Sequence, residues 1–197
     1  MKHTIRQYRI DQGALEVEYI EDCFQEFSGK KKTAAEIAER LRGREHLILL
    51  SMAASPDDPR QLIPVAYKVG HELRLRETDP KLVELVEQLK GQVVFTDRKI
   101  FYSWIGGTRE QWRGQGHYRA LSEQQEEWAL RHSYNEIVVK TKNRFYSMRA
   151  ALDHLRFNIV RFQIDSEDNA HSKVFLSKVL GKELLKGHRT TRTVEAF

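Results

Sequence analysis

The sequence predicts an α/β fold with a mixed sheet, on three observations. Apolar runs of strand length alternate along the chain with stretches whose apolar residues recur at helical spacing. Strong turn chemistry separates most of these segments. A glycine-rich turn, Arg113-Gly114-Gln115-Gly116, joins an apolar strand to a helix. The expected order is strand, two helices, three strands with an extra helix before the third, helix, strand, helix and two closing strands.

Residues 3–10 alternate weakly and predict a first strand. Ile20, Cys23, Phe24 and Phe27 then mark one apolar helix face, which makes Cys23 a core residue and not a nucleophile; Ser28-Gly29 ends that helix. Thr33-Ala34-Ala35-Glu36 is a capping box, followed by Ile37 and Leu41 on one side of a second helix that Gly43 closes. Leu47–Ala54 and Leu62–Leu73 read as strands, and Ser55-Pro56-Asp57-Asp58-Pro59 between them predicts a hairpin. Asp79 caps a helix with Pro80 at its first position and a stripe of Leu82, Leu85, Val86 and Leu89 before Gly91.

The strand Ile100–Thr108 follows, with Ile100, Tyr102 and Trp104 on one face and Phe101, Ser103 and Ile105 on the other. Gly106-Gly107 near its end predicts a bulge or a close backbone approach. The helix after Gly116 carries Tyr118, Leu121, Gln125 and Trp128 on one face. Ile137–Thr141 is a strand, Ser147–Leu155 a helix, and Asn158–Ile164 and Lys173–Val179 are two strands around the polar loop Asp165–His171. Residues 1–180 are expected to form a single domain, and 181–197 a mobile basic tail.

Composition narrows the function classes. No apolar run approaches the roughly 20 residues of a membrane span, and Met1-Lys2-His3-Thr4-Ile5-Arg6 leads into no signal-peptide core. A cytoplasmic protein without a membrane partner is expected. One cysteine excludes an internal disulfide framework, and the scattered histidines lack metal-site spacing, so no metal is expected. The net charge of +5 allows a nucleic-acid partner, but 28 acids interspersed among 33 bases describe a mixed solvated surface better. The densest basic run, Lys30-Lys31-Lys32, precedes a helix start and reads as a linker.

Chemistry concentrates in residues 104–118. A helix N-terminus leaves backbone N–H groups unpaired and partly positive, and glycines before it let an anion reach them. The turn therefore suits a phosphate or pyrophosphate, although such a turn can also be a plain tight connection. It is not a P-loop, which needs Gly-x-x-x-x-Gly-Lys-Ser/Thr, and no Gly-x-Gly-x-x-Gly follows the first strand.

At these residues the sequence resembles the GNAT superfamily of N-acetyltransferases, whose pattern is Arg/Gln-x-x-Gly-x-Gly/Ala at a strand–loop–helix junction. Arg113-Gly114-Gln115-Gly116-His117-Tyr118 matches it with Tyr118 in the final Gly/Ala place; Gln111-Trp112-Arg113-Gly114-Gln115-Gly116 matches it fully. The Arg113 register also sets Ala120-Leu121 where the family has apolar helix residues. A second segment, Asn143-Arg144-Phe145-Tyr146-Ser147-Met148 after a strand and Leu155-Arg156-Phe157 at a helix end, follows in the family's order. The resemblance covers about residues 45–180.

The resemblance implies the family's acyl-CoA N-acyltransferase fold, a central, mixed, mostly antiparallel sheet flanked by helices. It implies acetyl-coenzyme A as cosubstrate and direct transfer of the acetyl group to an amine of a small molecule or peptide. Backbone groups of Gly106, Gly107 and Thr108 would pair with pantetheine, and an N–H there would face the thioester oxygen. The pyrophosphate would sit on Arg113, Gly114, Gln115, Gly116, His117 and Tyr118, with His117 acting through its amide. An aspartate at Gly116 would then occupy the pyrophosphate's place. Asn143 would reach the pantetheine, or else simply form a turn. The tyrosine that serves many members as acid is replaced by Leu152, leaving Tyr146 as a substitute, with Ser103, Tyr102 and Glu72 as further candidates. A homodimer is a further expectation from the family. The acceptor pocket would form from Ile20–Leu41 and Asp79–Gly91. The alternative function is a non-catalytic acyl-CoA-binding sensor of the same fold.

Overall fold

The computed structural model describes residues 2–10, 15–23 and 32–197. The elements are β1 (Lys2–Tyr8), α1 (Leu15–Cys23), α2 (Ala34–Leu41), β2 (His46–Ala54), β3 (Leu62–Leu73), α3 (Pro80–Leu89) and β4 (Ile100–Thr108). They continue with α4 (His117–Arg131), β5 (Glu136–Lys142), α5 (Tyr146–His154), β6 (Asn158–Gln163), β7 (Lys173–Val179) and β8 (Thr191–Ala196). Among the described residues the strands form an eight-stranded mixed sheet in the order β6-β7-β5-β4-β3-β2-β1-β8. Phe24, Phe27, Ser28-Gly29, Lys30 and Lys31 lie outside the described residues, as does the side chain of Cys23. The chain divides into two compact units, residues 1–71 with 105–125 and 187–197, and residues 72–104 with 126–186; the divisions fall within β3, β4, α4 and the 3₁₀ turn at 182–187.

In the first unit, β2 and β3 form the expected antiparallel hairpin. Its turn is closed by Ser55 N–H donating to the Gln61 carbonyl at 2.8 Å and by Gln61 N–H to the Asp58 carbonyl at 2.9 Å. β1 pairs antiparallel with β2, Thr4 opposite Met52. The capping box of α2 is formed in both directions, Glu36 N–H to Thr33 Oγ1 and Thr33 N–H to the Glu36 carboxylate, and Ile37 and Leu41 are buried behind it.

The tail expectation is corrected here. Residues 182–187 form a 3₁₀ turn, and β8 adds to the sheet parallel to β1, from Lys2 opposite Thr191 to Gln7 opposite Ala196. The physical reason is a carboxylate. Glu123 on α4, 1% exposed, accepts from Arg189 N–H at 3.1 Å, Thr190 N–H at 3.0 Å and Arg192 Nη1 at 3.0 Å, with a further bond from the Thr190 hydroxyl. A buried carboxylate needs such donors, and the basic segment supplies them.

In the second unit, Asp79 caps α3 by accepting from Lys81 N–H at 2.9 Å and Leu82 N–H at 3.1 Å, with Pro80 at the first position as predicted. Leu82, Leu85, Val86 and Leu89 bury against Ile100, Tyr102, Val138 and Phe175, and Trp104 packs on the same cluster. On the other face Phe101 packs against Trp128 and Tyr134 at 5.4 and 5.0 Å between ring centroids. A buried ion pair, Lys178 to Glu126 at 2.8 Å, also donates to the Leu155 carbonyl and joins β7 to α4 and the end of α5. β5 runs antiparallel to β7, and β4 runs parallel to β5 over Ile100–Glu136, Phe101–Ile137 and Tyr102–Val138. Both strands of that parallel pair continue beyond this register.

Candidate functional site

In the first unit, β4 leads into the turn and the turn into α4. Gly106 passes so close to β3 that a Cβ on it would stand 3.1 Å from the Tyr67 carbonyl oxygen and 3.6 Å from the Lys68 Cα. Only glycine fits this approach without displacing β3. Gly107 is buried, and Arg109 N–H donates to the Val65 carbonyl at 2.9 Å, which ties the strand's exit to β3. A 3₁₀ turn, Glu110–Trp112, follows, and the Arg113 guanidinium folds back so that Nε donates to the Thr108 carbonyl at 3.3 Å.

Gly114 and Gly116 have φ of +76° and +84°, in the left-handed region that β-carbon-bearing residues avoid. Gln115 Nε2 braces the turn through the Gln111 carbonyl at 3.2 Å. The first helical bond of α4 runs from Ala120 N–H to the Gly116 carbonyl at 2.9 Å. The amides of His117, Tyr118 and Arg119 therefore have no carbonyl partner within the helix, which is the anion-attracting arrangement the sequence predicts.

The surroundings of the turn were not legible in the sequence. His117 is 4% exposed, and its Nδ1 bonds the Ser51 hydroxyl at 2.9 Å. The His3 ring meets it edge-on at 4.9 Å and Trp112 at 5.9 Å. Its side chain is thus built into the support of the turn, beyond the amide role expected of it. Burial, with the His3 charge second, lowers the His117 pKa to about 4; burial also lowers that of His3. Four buried polar atoms here have no hydrogen-bond partner among the described residues: Thr108 Oγ1, Trp112 Nε1, His117 Nε2 and His3 Nδ1. Groups of this kind are completed by water or a ligand.

The geometry also corrects the expectation for Gly116. A Cβ there would point at the His3 ring, 3.4 Å from Nε2, whereas a Cβ on Gly114 would meet nothing within 4 Å. Gly114 has the open side, and Gly116 makes room for His3. Tyr118, in the family's Gly/Ala place, turns its hydroxyl to Lys68 Nζ at 3.1 Å on β3.

In the second unit, Asn143 is nearly buried and bonded at both ends of its amide: Nδ2 donates to the Asn169 carbonyl at 3.1 Å, and Oδ1 accepts from Arg149. Its N–H donates to the Ser172 carbonyl at 2.8 Å. Those bonds serve the turn. Tyr146 opens α5, is 67% exposed, and lines a cavity of about 330 Å³ with Arg149, Asp153, Phe157, Ile159 and Leu176. Leu152 is fully buried core. Tyr102 belongs to the core cluster, Ser103 is buried, and the Glu72 carboxylate pairs with Arg74 at 2.7 Å. Among the described residues no group of three or more His, Cys, Asp or Glu side chains is placed to hold a metal.

No protein-family model matches the chain, and no curated protein matches it in sequence. Solved structures match in fold. One is NAA60 of Arabidopsis thaliana in complex with a bisubstrate analogue, with a TM-score of 0.64 and 10% identity over 85% of this chain and 95% of that one. Another is the ribosomal-protein-S18-alanine N-acetyltransferase of Escherichia coli, at 0.60 and 12% over 91% and 94%. A third is a GNAT superfamily phosphinothricin acetyltransferase of Sinorhizobium meliloti in complex with acetyl-CoA, at 0.62 and 14% over 92% and 90%. The chain has the fold of these GNAT acetyltransferases.

Proposed function

We propose, from a fold shared with the GNAT acetyltransferases, that this chain binds acetyl-coenzyme A at residues 106–118 and transfers the acetyl group to a primary amine. The observation that carries the reading is the turn itself. Two left-handed glycines precede the first amides of α4, which have no partner within the helix, and around them Thr108, Trp112 and His117 keep buried polar atoms unpartnered among the described residues. The residues fit a diphosphate, because the amides and the partly positive helix end answer its charge. Gly106, Gly107 and Thr108 would meet the pantetheine arm through their backbone groups. A β4 amide directed at the thioester oxygen would stabilise the charge that develops as the amine attacks.

The acceptor is an amine of a peptide or a small molecule. Fold neighbours named for ribosomal protein S18 and for phosphinothricin cover both classes. Tyr146, exposed at the start of α5, is the candidate to hand a proton to the leaving thiolate.

One observation favours a second reading, a non-catalytic acyl-CoA sensor. Leu152, where many family members have a catalytic tyrosine, is sealed in the core. Calorimetry with acetyl-CoA, followed by assay of free thiol over a panel of peptide and small amines, separates the two. Binding with turnover supports the transferase, and binding without turnover supports the sensor. Absence of binding removes both.

A further inference from the structure

Lys68 is the residue whose surroundings call for a ligand. It lies on β3 and is 3% exposed. Its stem crosses β4 at the glycine pair, with Cγ 3.5 Å from where a Cβ on Gly106 would stand. Its Nζ donates to the Tyr118 hydroxyl at 3.1 Å and lies 4.3 Å from the centre of that ring. Among the described residues no carboxylate pairs with it.

An ammonium withdrawn from water without a counter-charge is unfavourable, and a phenol oxygen with its ring face offsets only part of that cost. The location makes it worse. Tyr118 is the second residue of α4, so the cation is held at the partly positive end of a helix, where basic residues are disfavoured. Exposed Arg113 adds the same sign to the same turn. These contributions share one sign, and none of the carboxylate ion pairs among the described residues reaches the Lys68 ammonium, an arrangement that an anion would relieve.

We propose that Lys68 supplies the counter-charge for the phosphate-bearing end of a ligand held at Gly114–Tyr118, with Tyr118 as the positioning residue for its ammonium. This inference rests on the reading of the turn as an acetyl-CoA site and extends it to a side chain on β3. It also gives Tyr118 a task at a place where the family pattern has Gly or Ala. The hydroxyl and ring fix a cation that glycine or alanine could not hold.

The test is calorimetry on the full chain with three probes: acetyl-CoA, S-acetylpantetheine, which lacks phosphates, and inorganic diphosphate. Lys68→Met is expected to lower affinity for acetyl-CoA and for diphosphate about tenfold or more, from the loss of one charge in a low-dielectric setting. It should leave acetylpantetheine binding unchanged and flatten the dependence of acetyl-CoA binding on salt. The ligand-free variant should melt at or above the wild-type temperature, because an unbalanced buried charge has gone. Unchanged acetyl-CoA affinity, or an equal loss for the phosphate-free probe, overturns the proposal. If Lys68→Met does not fold, Tyr118→Phe carries the same three-probe comparison with the same signs. Should the wild type bind no acetyl-CoA yet bind diphosphate in a Lys68-dependent way, the cofactor reading falls and the role of Lys68 stands. A wild type that binds neither acetyl-CoA nor diphosphate overturns both.

Discussion

Glu123 and Arg192 form a buried ion pair of 3.0 Å between α4 and β8, with side-chain exposures of 2% and 10%. Arg192 also donates to the Gln124 side chain at 3.2 Å, and Arg119 Nε reaches Glu123 at 3.2 Å. Removing one partner takes a buried charge-assisted pair out of this network. Arg119 and the Arg189 and Thr190 donors offset only part of the loss for Glu123, so the cost approaches the roughly 3–5 kcal/mol of a broken buried pair without reaching it. Arg192→Met should therefore lower the urea midpoint well below wild type, and Glu123→Gln should do the same. Equilibrium unfolding by circular dichroism checks this. An unchanged midpoint for both variants would mean that β8 is held by its backbone pairing alone.

The two left-handed glycines should separate folding from binding. Gly116→Asp combines a positive φ with a side chain directed at the His3 ring, so loss of stability is expected first. Gly114→Asp meets open space, and aspartate tolerates the left-handed region better than most residues. That variant should melt within a few degrees of wild type, yet lose acetyl-CoA affinity tenfold or more through its added carboxylate; Gly114→Asn is the uncharged control. Wild-type affinity in a folded Gly114→Asp would count against an anion site at this turn.

The histidine pair predicts a pH dependence with a definite sign. His117 titrates near 6.5 when unfolded and near 4 when folded, and the His3 pKa is also lowered. Between these values the unfolded chain binds the extra proton, so stability falls as pH drops from about 6.5 to about 4. The Glu123 pKa is held below 4.5 by its hydrogen bonds despite the opposing effect of burial, so its contribution is present above pH 4.5 and is lost as pH falls below that value. Melting temperatures across this range should slope in wild type and slope less steeply between pH 6.5 and 4.5 in a His117→Gln variant, His3 supplying the remainder. Parallel slopes in the two proteins would exclude His117 as the source.

Tyr146 and Leu152 make opposite predictions. Tyr146→Phe keeps the ring and removes the hydroxyl at an exposed position, so stability should change by less than about 0.5 kcal/mol. If its phenol supplies the proton, turnover should fall 10²-fold or more with little change in acetyl-CoA affinity. Leu152→Tyr adds volume and a hydroxyl to a fully buried site, which should cost about 1–3 kcal/mol and restore no activity. Steady-state kinetics beside thermal melts resolves both variants, and full activity in Tyr146→Phe would remove it from the mechanism.

Local signals were legible and distant ones were not. Thr33-Ala34-Ala35-Glu36, the turn at 55–59 and Asp79-Pro80 each act through bonds a few residues long, so their elements appear where the sequence puts them. The strand Ile100–Thr108 was readable because its alternation separates two real packing faces. β8 was not. Thr191-Arg192-Thr193-Val194-Glu195-Ala196 is largely exposed and shows no apolar face, and what secures it is Glu123, far away in sequence. The site divides in the same way. The glycine turn announces itself, but Lys68, Ser51 and His3 reach it from other strands through contacts that no spacing encodes. Asn143, which the sequence allowed to reach a ligand or to form a turn, has its side chain bonded to the loop at 169 and to Arg149.

The parallel pairing of β1 with β8 has a kinetic consequence. Arg6 and Glu195, which face each other at 3.1 Å across it, are separated by 189 positions. A ladder that closes so long a span forms late, because the entropy lost in closure precedes any gain from contact. During synthesis β1 would emerge well before its partner and present an unpaired strand edge in the interval. Slowing the arrival of residues 188–196, by rare codons or by a stalled ribosome, should then raise aggregation of the nascent chain.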